Sequence, residues 1–204
     1  APVIKAGNTF DLGGLGDFEK DQAFSYGAWV KTVKTDGGSG IIARMDEQAK
    51  HRGWDLWQDR GEFAVHMVQE WPDNAIKVLT TGAQVKAGKW QHVFVTYDGT
   101  AKPEGIKIYV NGAETKLTVA TNNIKPDATI RTKTPLRVGQ RSQGAVFEGG
   151  SVQDVRIYDH QLLAQDVKMI GEAAPLQEIL SIAQADRSKE QTQTLLNYYL
   201  NNND

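Results

Sequence analysis

The chain contains no cysteine, which excludes disulfides, thiolate catalysis, zinc–thiolate sites and iron–sulfur clusters. It has no run of about 18 apolar residues, so no helical membrane span is expected. It also lacks a dominant charge. Its 23 Lys and Arg face 25 Asp and Glu, a formal net charge of −2, and this leaves no electrostatic footprint for nucleic acid or an anionic membrane. The opening Ala1-Pro2-Val3-Ile4 has neither the basic start nor the apolar stretch of a signal peptide. No Gly-x-Ser-x-Gly elbow is present, and His51, His66, His92 and His160 lack the short spacing of metal ligands. What remains is an ordinary globular composition, with 40% hydrophobic and 24% charged residues over 204 positions. A chain of this size buries about 70% of its unfolded surface.

The composition changes near residue 171. All 20 glycines lie at or before Gly171 and all five tryptophans at or before Trp90. Residues 172–204 hold one proline, Pro175, and carry two basic against five acidic residues, a net −3. This divides the chain into a body, 1–171, and a tail, 172–204.

The body reads as β-structure. Phe24, Tyr26, Ala28 and Val30 share one face of a period-2 segment, and Phe63, Val65 and Met67 share another, with Ala64, His66, Val68 and Glu70 opposite. Trp90, His92, Phe94 and Thr96 alternate with Gln91, Val93, Val95 and Tyr97. Ile106, Ile108 and Val110 run into Asn111-Gly112, a strong hairpin signal because both residues tolerate positive φ. Further strands are expected at 40–46, 53–58, 75–80, 136–141 and 152–158. With no helical crossover before residue 160, these strands predict an antiparallel sandwich rather than βαβ units. Trp29, Trp54, Leu56 and Trp90 are expected to face the core.

Helices are expected only late. Leu162, Leu163, Asp166, Val167 and Ile170 have helical spacing, with Gly171 as a stop. A second helix is expected to open at Pro175, and a third at the capping box Ser188-Lys189-Glu190-Gln191. The last two read as a helical hairpin, and Asn201–Asp204 as a frayed end.

Five segments then become specific in combination: Phe24–Lys31, Gly88–Gly99, Ile106–Gly112, Leu136–Gly139 and Gly150–Asp159. In this order and spacing they resemble a concanavalin A-like, laminin-G-like domain from about residue 8 to 171. Arg52–Leu56 and Trp71–Val78 resemble, more narrowly, the version found inside large exported planctomycete-type proteins that also carry a cytochrome c-like domain. The resemblance implies an all-β jelly-roll sandwich of two curved antiparallel sheets with a short C-terminal helical appendage. It also implies an internal module of a longer extracytoplasmic (periplasmic or secreted) protein, with sister domains as partners. Members of this family bind glycans, proteins or calcium, or act as spacers, so the fold alone does not fix the role.

Three site readings follow. Glucanases of this fold set two carboxylates on one strand in a Glu-x-Asp-x-Glu or Glu-x-Asp-x-x-Glu pattern. Neither occurs here, and Asp17, Glu19 and Asp21 lie in a glycine-rich segment that reads as a solvated turn. Such domains often hold a structural calcium ion, and Asp154 in Asp154-Val155-Arg156-Ile157-Tyr158 matches the carboxylate position of that motif. The bland alternative pairs Asp154 with Arg156 or Arg44. Sugars stack their C–H faces on aromatic rings while planar polar groups read hydroxyls, and Asp55, Trp57, His66, Glu70, Trp71 and Asn74 form a candidate patch on the concave sheet. Arg52 or Lys77 could instead pair with Asp55 or Glu70, and Trp71 could plug the sandwich end. The expected role is a non-catalytic recognition module for a polysaccharide or other glycan. A structural spacer is the alternative, and a glycoside hydrolase comes third.

Overall fold

The computed structural model describes residues 1–202. Twelve strands precede two helices: β1 Phe10–Asp11, β2 Phe24–Lys31, β3 Gly38–Asp46, β4 Arg52–Asp59, β5 Glu62–Glu70, β6 Asn74–Thr80, β7 Trp90–Tyr97, β8 Ile106–Val110, β9 Ala113–Glu114, β10 Leu117–Asn122, β11 Arg137–Val138, β12 Ser151–Tyr158, α1 Ala164–Ser181 and α2 Lys189–Asn202. They form a seven-stranded sheet, β1-β11-β3-β4-β5-β6-β10, and a five-stranded sheet, β12-β2-β7-β8-β9. Adjacent strands are antiparallel throughout, as in a jelly-roll lectin sandwich.

The core lies between the sheets and follows the period-2 pattern. Tyr26, Ala28 and Val30 of β2 and Val93 and Val95 of β7 meet Trp54 and Leu56 of β4, Val65 and Met67 of β5 and Ile76 and Val78 of β6. The Asn111-Gly112 hairpin forms as expected, with φ of 53° and 78°. Strands β1, β9 and β10 were not expected. The first two are only two residues long, and β10 is largely exposed and polar, so none carries an apolar alternation.

The outer face of the five-stranded sheet departs from expectation. Trp29 and Trp90 do not face the core; they lie outside the sandwich, in the cleft beneath the helices. Nearby Phe94 and Tyr109 are buried with Leu162 and Val167, so α1 covers this face. The Ser25 hydroxyl fixes the entry to α1 by donating to the His160 carbonyl (2.9 Å) and accepting from Leu162 N–H (2.9 Å).

Gly171 and Pro175 do not divide the tail as expected; α1 is continuous through both. A methyl group at Gly171 would lie 2.8 Å from His92 Nδ1, so the glycine lets the helix approach the sheet. Pro175 costs the helix one backbone hydrogen bond, and its ring lies by Trp29 and Trp90. The boundary expected between 171 and 172 thus falls inside a helix that packs on the body. The Ser188 capping box is present: Ser188 N–H donates to Gln191 Oε1 (2.8 Å) and Gln191 N–H to Ser188 Oγ (3.1 Å). α2 runs to Asn202, within the stretch Asn201–Asp204 read as a frayed end; positions 203–204 lie outside the described residues.

Candidate functional site

On β4, Trp54 and Leu56 point inward, so Asp55 and Trp57 point outward from the seven-stranded sheet. His66 of β5 lies directly across from Asp55 in the ladder. Its Nδ1 is 2.8 Å from Asp55 Oδ1. Arg141, in the loop after β11, donates from Nε to Asp55 Oδ2 at 2.7 Å, and its Nη2 lies 2.5 Å from the same oxygen. The guanidinium also covers the Trp57 ring, 4.0 Å from the centroid. Asp55 is wholly buried and Arg141 and His66 nearly so, while Trp57 and Trp71 stay partly exposed.

Burial pushes the Asp55 carboxyl up, but the Arg141 charge and the His66 interactions outweigh it and hold the group down at about 2. Asp55 is therefore an anion that accepts from both neighbours. His66 must donate from Nδ1–H, so in the neutral ring the lone pair lies at Nε2. Arg141 Nη2 lies 3.4 Å from the same Nδ1; since Nδ1 carries a proton, that contact is no hydrogen bond.

The loop that carries Arg141 is fixed from below. Glu47 accepts the backbone N–H groups of Gln143 (2.5 Å) and Gly144 (3.1 Å). Gly40 permits the approach, because a Cβ there would lie 3.1 Å from Arg141 N. Gly38 does the same for Trp57, whose indole crosses the position a Cβ would occupy. Beside the network opens a recess of about 120 Å³, lined by Met45, His51, His66, Val68, Trp71 and Arg141. Trp71 packs on Ala43, Met45, Val68 and Ala75, with its ring 5.4 Å from that of His66, so it borders this recess rather than plugging the sandwich end. Burial, with Arg141 nearby, lowers the pKa of His51.

The structure thus brings together Asp55, Trp57, His66 and Trp71, and leaves two expected members aside. Glu70 pairs with Lys50 at the surface, where the two side chains are 41% and 66% exposed. Asn74 is buried and structural: its Oδ1 accepts Lys125 N–H at 2.8 Å and holds the loop after β10. The alternative pairings considered for Asp55 and Glu70 are replaced as well. Arg141 takes Asp55, Lys50 takes Glu70, and Lys77 reaches Asp59 at 2.6 Å. Arg141 and His51 were missed.

Asp154 lies at a bulge in β12 with φ 51°. Arg156 grips both of its carboxylate oxygens, at 3.0 and 3.2 Å, which is the bland alternative rather than the metal one. Calcium needs about six to eight oxygens, and here the Arg156 guanidinium already balances the charge of the one carboxylate on offer. Among the described residues no group of three His, Asp or Glu side chains converges as a metal site. The residues at Asp154 do not fit a calcium ligand set. The Asp17–Asp21 segment is not merely a solvated turn. Asp17 binds Arg44 (3.2 Å) and Arg131 (2.5 Å), and Glu19 accepts Thr129 Oγ1 (2.5 Å) and Ile130 N–H (3.0 Å), which clasps two loops.

Two antiparallel sheets packed face to face make a lectin-type β-sandwich. The family model described as the concanavalin A-like lectin/glucanases superfamily matches residues 5–168, and the chain belongs to this family. No curated protein matches it in sequence. Among solved structures, the CBM40 of Ruminococcus gnavus IT-sialidase, bound to α2,3 sialyllactose, is similar at TM-score 0.61 and 14% identity over 80% of this chain and 91% of that one. The binding domain of Paraclostridial Mosquitocidal Protein 1 is similar at TM-score 0.61 and 14% identity over 82% of this chain. The chain spans 41% of that domain's length. The ligand-binding domain of botulinum neurotoxin serotype D, in complex with N-acetylneuraminic acid, gives TM-score 0.57 and 16% identity over 81% of this chain and 39% of that one. At these identities the likeness is one of fold. No helix among the described residues is long and apolar enough to cross a membrane.

Proposed function

We propose that the chain is a non-catalytic recognition module that binds a glycan on the outer face of the seven-stranded sheet, between Trp57 and Trp71. The carrying observation is the pinned Arg141–Trp57 stack beside His66. Asp55 holds the guanidinium and the imidazole in fixed orientations, so neither loses much rotamer entropy when a ligand arrives. In the neutral His66 ring the Nε2 lone pair accepts a hydrogen bond from a hydroxyl, the Arg141 edge donates, the Trp71 indole offers a C–H stacking surface, and Trp57 backs the guanidinium. A sugar hydroxyl both donates and accepts, which this pairing of groups matches. The solved relatives crystallised with sialyllactose and N-acetylneuraminic acid support the reading by analogy of fold.

Catalysis is not what this arrangement serves. Asp55 is shielded from solvent and stays ionised, so it can act neither as general acid nor as an accessible nucleophile. We place the module outside the cytoplasm, within a longer multidomain chain, on the strength of its family resemblance.

A glycan array followed by calorimetry on the strongest ligand tests the site. Trp57→Ala and Trp71→Ala are expected to weaken binding at least about tenfold, or roughly 1.4 kcal/mol. Undiminished affinity in both variants, or an array with no saturable ligand, overturns the proposal. A second reading, a spacer that packs on sister domains, is favoured by one observation: Leu180, Leu196 and Leu200 are about half exposed on α1 and α2. It gains ground if the array is blank and a neighbouring domain protects those leucines from hydrogen exchange.

A further inference from the structure

A spacious aromatic cleft lies away from the Trp57–Trp71 face. It opens between the outer face of the five-stranded sheet and the two helices, with a volume of about 540 Å³. That is within the range of about 300–1,000 Å³ typical of small-molecule sites. We propose that this cleft is a second carbohydrate site, one that takes a neutral acetamido sugar.

The floor is aromatic. Trp29 of β2 and Trp90 of β7 are diagonal neighbours on one face, because Trp29 pairs with His92 and Lys31 with Trp90 in the ladder. Trp29 is nearly buried and Trp90 half-buried, which leaves Trp90 as the stacking surface. Two amides of the polar rim have donors to spare. Asn111 uses Oδ1 to accept His92 N–H at 2.9 Å, so its amide NH₂ is the group left for a ligand. Asn197 of α2 uses Oδ1 to accept from Gln193 Nε2 at 2.8 Å, again leaving the NH₂. Lys168 and Glu172 are the charged residues of the lining; they stand one helical turn apart, 3.9 Å from each other, and offset one another.

A cleft with two amide donors, offset charges and an indole floor selects a ligand that brings uncharged acceptors and an apolar surface. An acetamido group provides both: its carbonyl oxygen accepts from an Asn amide, and its methyl joins the sugar C–H face on the indole. Plain hydroxyls fit less well: Thr194 Oγ1, whose proton goes to Glu190 O at 2.9 Å, can accept from one, but none brings a methyl to the indole. This site is independent of the reading given for Asp55, Trp57, His66 and Trp71.

The test is an NMR titration of the chain with N,N′-diacetylchitobiose and, separately, cellobiose, observing the indole N–H signals of the five tryptophans. Saturable shifts are expected at Trp29 and Trp90 and not at Trp57 or Trp71, with diacetylchitobiose bound at least about tenfold more tightly than cellobiose. Asn111→Asp and Asn197→Asp each keep the accepting Oδ1 and replace the NH₂ donor with an oxygen. Asp-Gly suits the same hairpin turn, and in α2 the carboxylate still accepts from Gln193, so both variants should fold. Each is expected to weaken diacetylchitobiose about tenfold with an unchanged melting temperature, whereas Trp57→Ala leaves it unaffected. No saturable shift, equal binding of cellobiose, shifts confined to Trp57 and Trp71, or indifference to both Asn variants overturns the proposal.

Discussion

Both sheets carry aromatic rings on their outer faces, and the chain treats the two faces in opposite ways. On the five-stranded sheet, Phe94 and Tyr109 are sealed under Leu162, just before α1, and Val167 of α1. On the seven-stranded sheet, Trp57 and Trp71 stay partly open, flanking a charged network of Asp55, His66 and Arg141. The covered face is held by burial of apolar area. The open face is held by a buried ion pair whose worth depends on every member being present, since a half-satisfied polar network is costlier than none. The second design keeps rigid polar groups accessible at their edges.

This contrast is most sharply broken at Asp55. Asp55→Ala leaves the Arg141 guanidinium buried without its counter-charge and is expected to cost about 3–5 kcal/mol, read from urea unfolding at neutral pH. A loss under about 1 kcal/mol would mean that Arg141 swings out to solvent at little cost, and that the network is not the scaffold of the open face.

Acid separates the two faces by pH window. Burial pulls His92, beneath α1, down to about 4 from 6.5. The unfolded chain then binds more protons than the folded one between these values. Stability from this group is complete above pH 6.5 and falls away as pH drops towards about 4, by roughly 2–3 kcal/mol. Asp55 acts lower. Its stabilisation is complete above its ordinary 3.8 and is lost as pH falls towards about 2, by about 2 kcal/mol. Denaturant titrations across pH should show His92→Leu flattening the first limb and Asp55→Asn the second. A slope that survives in the matching variant assigns that limb to another group. The smallest effect is expected at Glu70→Ala, below about 1 kcal/mol, because the Lys50 pair is exposed and screened by solvent.

The division between what the sequence disclosed and what it hid has a physical basis. Strand faces were legible because side chains alternate with period 2, so Tyr26, Val65 and Leu56 announce their inward side. The direct cross-strand partners Asp55 and His66 were legible as one patch for the same reason. Arg141 was not, because it reaches Asp55 across 86 residues, and no local pattern encodes a contact set by loop placement. Its one sequence signal was an arginine just past the Leu136–Gly139 strand segment. Gly171 and Pro175 misled because both are helix breakers locally, whereas packing against His92 and the tryptophans outweighs propensity here. Trp29 and Trp90 misled for a related reason: an alternating strand shows two faces, and nothing local tells that a helix far along the chain will cover the second one.

The uninterrupted course of α1 carries a practical lesson for anyone transplanting this module. The family match stops at residue 168, two turns before Leu176 makes its buried contact. A graft trimmed there would keep Leu162 and Val167 over Phe94 and Tyr109 but lose Gly171, Pro175 and Leu176, baring His92, Trp29 and Trp90 to every neighbour in the tube. The portable unit is the sandwich together with its lid, and the end of that unit is written in helix packing, downstream of where sequence likeness gives out.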